Sequence, residues 1–294
     1  MDCLLLTDLG TESIMIKYVP IINNKGGVGK TTTTINLAAG LARRGKRVLV
    51  VDLDSQGSAS LALGISRTDL EPSCAGVLFG DLPARDAIRS TRTDRLDVIT
   101  GSLRLADADT QLSNLQERHK RLLSVLEPIE DDYDAILMDC APSTSLLSVN
   151  ALVCADAFII PVSPSYLSLE GVISLGEVVK NVRMGMGDAA PVLGVLLTMV
   201  GPDDERAEGI IGEVRSHYGG KVFNVEIRRD SAIEEAPGHG QSVFEFAPNS
   251  KGARDYMAFV DEVVDRLERY GAIYGKVRRQ SNQRSASTTR SLAS

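Results

Sequence analysis

The chain has 294 residues, of which 43% are hydrophobic and 24% charged, and its formal net charge is −7. This length can bury a substantial core, and the acidic balance excludes a generally basic nucleic-acid coat protein while allowing a local basic patch. The four cysteines form no CxxC pair and no apolar run approaches the ~18 residues of a membrane span, so we expect a reduced, cytoplasmic protein without a disulfide framework or zinc site.

Both ends of the chain differ from its middle. Residues 1–15 precede the first predicted strand, and Met15 lies where that strand begins, so we predict an extension that is disordered or outside the native start. Residues 273–294 are rich in Ser, Thr and Arg and contain no acid, which predicts a disordered basic tail. Such a tail suits a tethered DNA-binding arm and a merely solubilising segment equally well. Residues 16–272 remain as one domain.

Short apolar runs rich in β-branched residues alternate with helical patterns along this domain. Strands are predicted at 18–23, 47–54, 96–100, 134–139, 157–162 and 192–200. Helices are predicted at about 30–44, 104–127, 145–154, 168–184, 204–217 and 250–270. The alternation indicates an α/β fold with a doubly wound, mostly parallel sheet flanked by helices. Pro20 disagrees with its strand, because proline cannot donate to the ladder.

The segment "NNKGGVGKTTT", residues 23–33, follows the first strand and opens a helix. A phosphate-binding loop would need Gly at position 24, where the chain has Asn24, and a second lysine, Lys25, comes next. A glycine-rich turn between strand and helix aims backbone N–H groups at phosphates. We expect Lys30 to meet the β- and γ-phosphates and Thr31 to bind Mg²⁺, the alternative being a surface turn with incidental lysines.

Three acids lie at or near the C-terminal ends of predicted strands. Asp52 and Asp54 lie on the same side of the strand that ends in "VDLDSQG", and Asp139 ends "DAILMD". The carboxyl ends of parallel strands face the ligand crevice of an open sheet. We therefore expect these carboxylates near the loop, although acids at such positions can also only cap loops or helices.

Four segments resemble the ParA/MinD ATPases in the same order. "KGGVGKTTTTINLAAGLA" (25–42) resembles their deviant Walker A motif, and "VLVVDLDSQGSAS" (48–60) is similar to their DxDPQG segment. "YDAILMDCAPSTSLLSVNAL" (133–152) is similar to their Walker B stretch, and "EAPGHGQSV" (235–243) to their late EAPSHG signature. The resemblance covers about residues 16–270 and implies a P-loop NTPase of the deviant Walker A class.

The resemblance also implies residue roles with ATP and Mg²⁺ as cofactors. Lys25 would reach across a nucleotide-sandwich homodimer, and Asp54 would polarise the attacking water, whereas Asp52 would be structural. The implied sets are catalytic Lys25, Lys30 and Asp54; nucleotide-binding Lys25, Gly26, Gly27, Val28, Gly29, Lys30, Thr31 and Thr32; and metal-binding Thr31, Asp54 and Asp139.

The late segment departs from the family pattern. The family reads approximately IPRNVRLSEAPSHG where this chain has "IRRDSAIEEAPGHG", so Arg228 replaces a proline and Ala232 the second arginine. Ser55 and Ala141 replace prolines elsewhere, which are milder changes. The DNA-binding candidates are Arg206, Arg215, Arg228, Arg229 and Arg254, each of which could equally be a solvated surface charge. The fold would bring the loops around 198–199 and 227–229 near the adenine.

By resemblance, the function is that of a partition ATPase. It would bind non-specific double-stranded DNA in the ATP state, associate with the nucleoid, and be reset by a ParB-like adaptor while moving a chromosome, a plasmid or another cargo. A MinD-like ATPase at a membrane or protein scaffold is the alternative. It needs an apolar C-terminal helix, but only Val277 and Leu292 are large and apolar after residue 275, so no membrane partner is expected. A ligase or electron-donating reductase is a third class, with no recognisable substrate motif or cluster-ligand pair in support.

Overall fold

A seven-stranded sheet organises the computed structural model, which describes residues 17–270 apart from 81, 143–144, 165–175, 177–178, 181–189 and 202–204. The predicted extension 1–15 and tail 273–294 lie outside the described residues. So does most of the predicted helix at 168–184.

The sheet confirms the predicted fold class. Its order is β3-β4-β2-β5-β1-β6-β7, and all neighbours are parallel except β3 with β4. Every residue of β1, β2, β5 and β6 is buried, as expected for strands covered on both faces. The strands are β1 (Tyr18–Ile21), β2 (Val48–Asp52), β3 (Ile88–Ser90), β4 (Leu96–Ile99), β5 (Ala135–Asp139), β6 (Phe158–Val162) and β7 (Val192–Leu197).

Helices cover the two faces of the sheet and enclose one apolar cluster on each. One cluster joins α3, α5 and α6 to side chains such as Leu49, and the other joins α1 and α10 to side chains such as Val50. Alternation along β2 sends these neighbours to opposite faces. The helices are α1 (Lys30–Arg43), α2 (Ser58–Ala62), α3 (Cys74–Phe79), α4 (Ala108–Ser113), α5 (Arg121–Leu126), α6 (Leu146–Cys154), α7 (Glu205–Tyr218), α8 (Ser231–Glu235), α9 (Val243–Phe246) and α10 over 251–270.

The long helix predicted at 104–127 is wrong. The structure has two short helices there, α4 and α5, flanked by 3-10 turns at Leu103–Asp107 and Glu127–Asp132. Glu117 adopts a φ of 49°, which no α-helix accommodates, so the chain turns between them. The spacing of apolar residues cannot predict that Glu117 adopts a left-handed backbone conformation. The short elements β3, α2, α3, α8 and α9 were also absent from the sequence prediction.

Pro20 is accommodated in β1 because the backbone N–H that proline lacks would face only β6. Toward β5, the carbonyls of Lys17 and Ile21 accept from Ile136 and Cys140, so that ladder is intact. Alternate residues face β6, where registered pairing is confined to Ile21 with Ile159. The proline therefore shortens the ladder to β6 and leaves the central pair of strands intact.

Candidate functional site

A glycine-rich loop, residues 23–31, connects β1 to α1 and is fastened at its base. The buried Asn23 donates through Nδ2 to the Pro161 carbonyl at 2.8 Å and accepts from the Lys25 backbone N–H at 3.0 Å. Gly27 and Gly29 have φ values of 71° and 81°, a region that favours glycine. A Cβ added to Gly26 or Gly27 would meet no atom within 4 Å, so a phosphate has room to approach this backbone.

Lys30 begins α1 and points back over the loop. Its Nζ donates to the Lys25 carbonyl at 2.6 Å, and the residue is 7% exposed. Burial lowers the pKa of Lys30, while the nearby Asp139 carboxylate opposes that shift. Lys25 itself is partly exposed, Val28 is buried and Thr32 is partly buried. The loop thus combines one buried ammonium with one accessible lysine.

Asp139 lies under the first turn of α1. It ends β5, is fully buried, and accepts from the hydroxyls of Thr31 at 2.8 Å and Thr34 at 3.1 Å. Burial raises the pKa of Asp139 to about 8; the charge of Asp52, its registered neighbour on β2, adds to the increase, and the two threonine hydrogen bonds oppose it. The site therefore holds a carboxyl group that is easily kept neutral until a cation compensates it.

Asp52 fastens the segment that follows β2. One oxygen accepts from the Ser60 N–H at 2.9 Å and hydroxyl at 2.7 Å, and the other accepts from the Asp54 N–H at 3.1 Å. Burial raises the pKa of Asp52 to about 6. All these bonds are internal to the fold, in keeping with a structural role.

Asp54 is set apart from this buried pair. It is partly exposed, and its Oδ1 accepts from the Gln56 N–H at 3.0 Å within the turn after β2. Gly101 packs directly behind that turn, since a Cβ there would lie 2.4 Å from the Asp54 carbonyl oxygen. The Asp54 carboxylate is thus held at the sheet edge on a turn that has no free space behind it.

These side chains suit a magnesium-nucleotide. Hydroxyl and carboxylate oxygens such as those of Thr31 and Asp139 are the ligands that Mg²⁺ prefers, while Lys30 and the loop backbone offer donors to phosphates. Among the described residues, no group of three or more His, Cys, Asp or Glu side chains could hold a metal ion alone. In nucleotide sites Mg²⁺ generally takes one or two protein oxygens and fills its shell with phosphate oxygens and water.

The end of β7 contacts the loop from the other side. The buried Thr198 donates from Oγ1 to the Val28 carbonyl at 2.9 Å, and Arg229 donates from Nε to the Met199 carbonyl at 3.1 Å. The segment 222–229 runs beside β7, with Ile227 N–H donating to Leu197 at 2.9 Å. The two loops that the fold suggested for the adenine are thus in contact with each other.

The five candidate arginines fall into different environments. Arg228 forms a bidentate pair with the nearly buried Asp255, at 2.9 and 2.5 Å, and Arg215 pairs with Glu226 at 2.6 Å. Arg229 and Arg254 are exposed and form no ion pair with a described residue. Arg206 belongs to α7, but its side chain lies outside the described residues.

Several contributing residues were missed by sequence reasoning. Asn23, Thr34 and Ser60 hold the loop, Asp139 and Asp52 respectively, and Asp255 holds Arg228. Thr34 could have been found, because it lies three residues after Thr31 on the same helical face. The other partners are distant in sequence and carry no motif.

Two side chains within the motif-like segments 133–152 and 235–243 serve packing in the structure. Cys140 is a buried free thiol beside Asp139, and His239 stacks on Phe246 with ring centroids 4.9 Å apart.

No helix within the described ranges combines the length and apolar character needed to span a membrane.

Comparison with known sequences gives a consistent set of relatives. A family model described as an AAA domain matches residues 16–189. The sporulation initiation inhibitor protein Soj of Bacillus subtilis is 40% identical over 250 residues, covering 85% of this chain and 99% of that protein. The chromosome partitioning protein ParA of Caulobacter vibrioides is 37% identical over 253 residues, covering 85% and 95%.

Solved structures share the architecture and include nucleotide complexes. The cobyrinic acid a,c-diamide synthase from Mycobacterium smegmatis with bound ADP and magnesium has a TM-score of 0.73 at 29% identity, covering 84% of this chain and 93% of that one. The septum site-determining protein MinD from Pyrococcus horikoshii, complexed with Mg-ADP, has a TM-score of 0.69 at 27% identity, covering 85% and 96%.

Proposed function

The chain belongs to the ParA/MinD superfamily of partition ATPases, and from that premise we propose that it dimerises around two ATP molecules, binds non-specific DNA in that state and is reset by hydrolysis. Its cofactors are ATP and Mg²⁺. A ParB-like adaptor on a chromosome, plasmid or other cargo would stimulate the hydrolysis. The observation that carries the nucleotide-binding part of this proposal is the meeting of Lys30, Thr31 and Asp139 beneath one glycine-rich loop.

The chemistry assigned to this loop is phosphoryl transfer to water. The backbone from Lys25 to Thr32 and the Lys30 ammonium bind and orient the triphosphate, and Thr31 contributes its hydroxyl to Mg²⁺. A magnesium ion held there would neutralise charge on the phosphate oxygens. The ionised Asp139 would hold a water ligand of the magnesium, and Asp54 would orient the attacking water from the turn after β2.

Lys25 supplies the link between nucleotide and dimer. It lies on the accessible side of the loop, with a partly exposed side chain, whereas Lys30 is buried. An ammonium that reaches the partner's phosphates offsets charge that develops during transfer. Dimerisation would then depend on the triphosphate, because a diphosphate presents less charge to the incoming lysine.

Exposed cations near the start of α10 support the DNA-binding part of the proposal. Arg229, Lys251 and Arg254 are exposed and form no ion pair with a described residue. Contacts of this kind bind phosphates without reading sequence, and their affinity falls steeply with salt. Arg215 and Arg228 contribute less, since each is paired with an acid.

The curated relatives favour partition over the third class, a small-molecule enzyme. Soj and ParA, named for sporulation control and chromosome partitioning, are 40% and 37% identical to this chain, whereas the amide-forming synthase is 29% identical. A magnesium-nucleotide site alone suits all of these proteins. The assay must therefore measure dimerisation and DNA binding rather than nucleotide binding alone.

The test compares wild type with Lys25→Ala by sedimentation, with and without a DNA duplex of arbitrary sequence. Each sample contains Mg²⁺ with a non-hydrolysable ATP analogue or with ADP. We expect dimers and DNA binding only for wild type with the analogue. Lys46→Ala removes one exposed lysine beyond α1 and should behave as wild type. ATP-dependent dimers of wild type that ignore DNA would instead favour a membrane or protein scaffold as the surface.

A further inference from the structure

Thr198 forms a direct bond between the end of β7 and the glycine-rich loop. Its hydroxyl donates to the Val28 carbonyl at 2.9 Å, and its own N–H donates to the Val162 carbonyl of β6 at 2.9 Å. Thr198 is 2% exposed, and its methyl group lies 3.7 Å from the position of a Cβ on Gly29. One side of the loop therefore rests on Thr198, and a shift of the Val28 carbonyl must change this contact.

Met199, the next residue, has an unusual backbone conformation. Its φ is 55°, in the left-handed region that non-glycine residues adopt only when surrounding contacts hold them there. Its carbonyl accepts from Arg229 Nε at 3.1 Å, and the following Val200 N–H donates to Ile227 at 3.1 Å. Loss of these contacts would make the ordinary right-handed or extended backbone accessible to Met199.

The contacts continue from Met199 to the exposed basic segment. Arg229 N–H donates to the Val200 carbonyl at 3.0 Å, and Arg228 donates from its backbone and its guanidinium to Asp255. Asp230 accepts from Gly252 N–H at 2.7 Å, which ties the same segment to the first turn of α10. The bonds thus form a continuous path from Val28 to the cations near the start of α10.

We propose that Thr198 is a positioning residue that couples the state of the glycine-rich loop to the conformation of the segment 227–230. The proposal rests on the proposed function, because it supplies the route by which ATP would control the DNA-binding surface. Coupling between two sites requires an element that both can bias. Met199 is that element, held from one side through Thr198 and from the other through Arg229.

The hydrogen bond from Thr198 to Val28 can be removed by a substitution that keeps the side-chain volume. Thr198→Val deletes the hydroxyl donor to Val28 and keeps a branched side chain of similar volume. Thr198→Ser keeps the donor and serves as the matched control. If Thr198 only supports the fold, both variants should bind and respond to ATP as wild type does.

The experiment is amide hydrogen exchange of the full chain with Mg²⁺, with and without a non-hydrolysable ATP analogue. In wild type we expect the analogue to slow exchange at Arg228 and Arg229 by about 5-fold or more, the lower end of typical couplings between sites. Thr198→Ser should retain this response. At a concentration of the analogue that saturates each variant, Thr198→Val should show protection within residues 23–31 and lose most of the response at 227–230.

A wild type that binds the analogue without any change at 227–230 would overturn the inference, and so would a Thr198→Val variant with the full response. Failure of the proposed function is separate. It would be seen as wild type that shows this response but neither dimerises nor binds DNA. Thermal melting of both variants checks that the fold is intact.

Discussion

The loop edge of the sheet and the surface near the start of α10 differ in how their charged groups are used. At the loop edge, Lys30 and Asp139 are buried and bonded mainly to the loop and to α1. Near α10, Arg228 is exposed but bound to Asp255, while Arg229 and Arg254 have no acidic partner among the described residues.

A sequence motif predicts the structure around it more reliably than a single charged residue predicts its own partner. The loop edge follows from rules of local geometry, since strand ends, glycines and a helix start must meet at one edge of a parallel sheet. An arginine on a surface is free or paired according to residues far away in sequence. Substitutions in each region test this difference, and their expected effects on turnover, stability and DNA binding decrease from the loop to the surface.

The largest effect is expected for Lys30→Ala. Lys30 is the buried ammonium over the loop, and its loss removes the charge that would meet the phosphates. We expect ATP turnover to fall by roughly 1,000-fold, as for the removal of a preorganised transition-state contact. Steady-state phosphate release measures this, with Lys251→Ala as a charge-matched control. Turnover close to the wild-type rate would show that the loop edge is not the catalytic region.

Asp139→Asn should lower turnover and raise stability together. Removing the carboxylate weakens magnesium binding, so we expect turnover to fall by about 100-fold. Without magnesium, the folded pKa of Asp139 is about 8, above its ordinary 3.8, so the folded state retains a proton that the unfolded state releases. Wild-type stability therefore decreases as pH rises from about 4 to about 8, and the asparagine substitution removes that loss.

Urea unfolding in EDTA at about pH 5 and about pH 8 checks the stability change. The variant should exceed wild type at the higher pH by on the order of a few kcal/mol, and the difference should shrink at the lower pH. A variant that is less stable at both pH values would mean that the buried carboxyl is not penalised in the fold.

Arg228→Ala should affect stability more than its exposed position suggests. The substitution leaves Asp255, which is 8% exposed, without its bidentate partner, and we expect a loss of roughly 1–3 kcal/mol. Arg229→Ala removes an arginine with a single backbone contact and should be nearly neutral. Thermal denaturation compares the two. Equal stability of both variants would contradict a structural role for Arg228.

Arg254→Ala should give the smallest change. Arg254 is exposed and donates to the Asn249 carbonyl at 2.8 Å, so its loss should leave the fold intact. We expect DNA affinity in the ATP state to fall a few-fold and the slope of log affinity against log salt to become smaller by about 1. Fluorescence anisotropy across a salt series measures both. An unchanged slope would assign Arg254 to the solvated surface.

Helices and strands with a clear pattern of apolar residues and flanking glycines could be predicted from the sequence. The strands and α1 follow from apolar runs and glycines, and the acids at strand ends follow from topology. The helix at 104–127 failed because the break at Glu117 is a backbone conformation without a residue signature. The pairing of Arg228 with Asp255 could not be read either, because their contact depends on how α10 packs beside β7.

The central claim is that the loop edge and the basic surface are energetically coupled, and binding free energies make such coupling reciprocal. The most direct test is titration of a non-hydrolysable ATP analogue with Mg²⁺ into the wild-type chain, with and without saturating duplex DNA. We expect DNA to tighten binding of the analogue by about 10-fold or more and to leave ADP binding unchanged. Equal affinities for the analogue with and without DNA would contradict the account, whatever the ATPase rate.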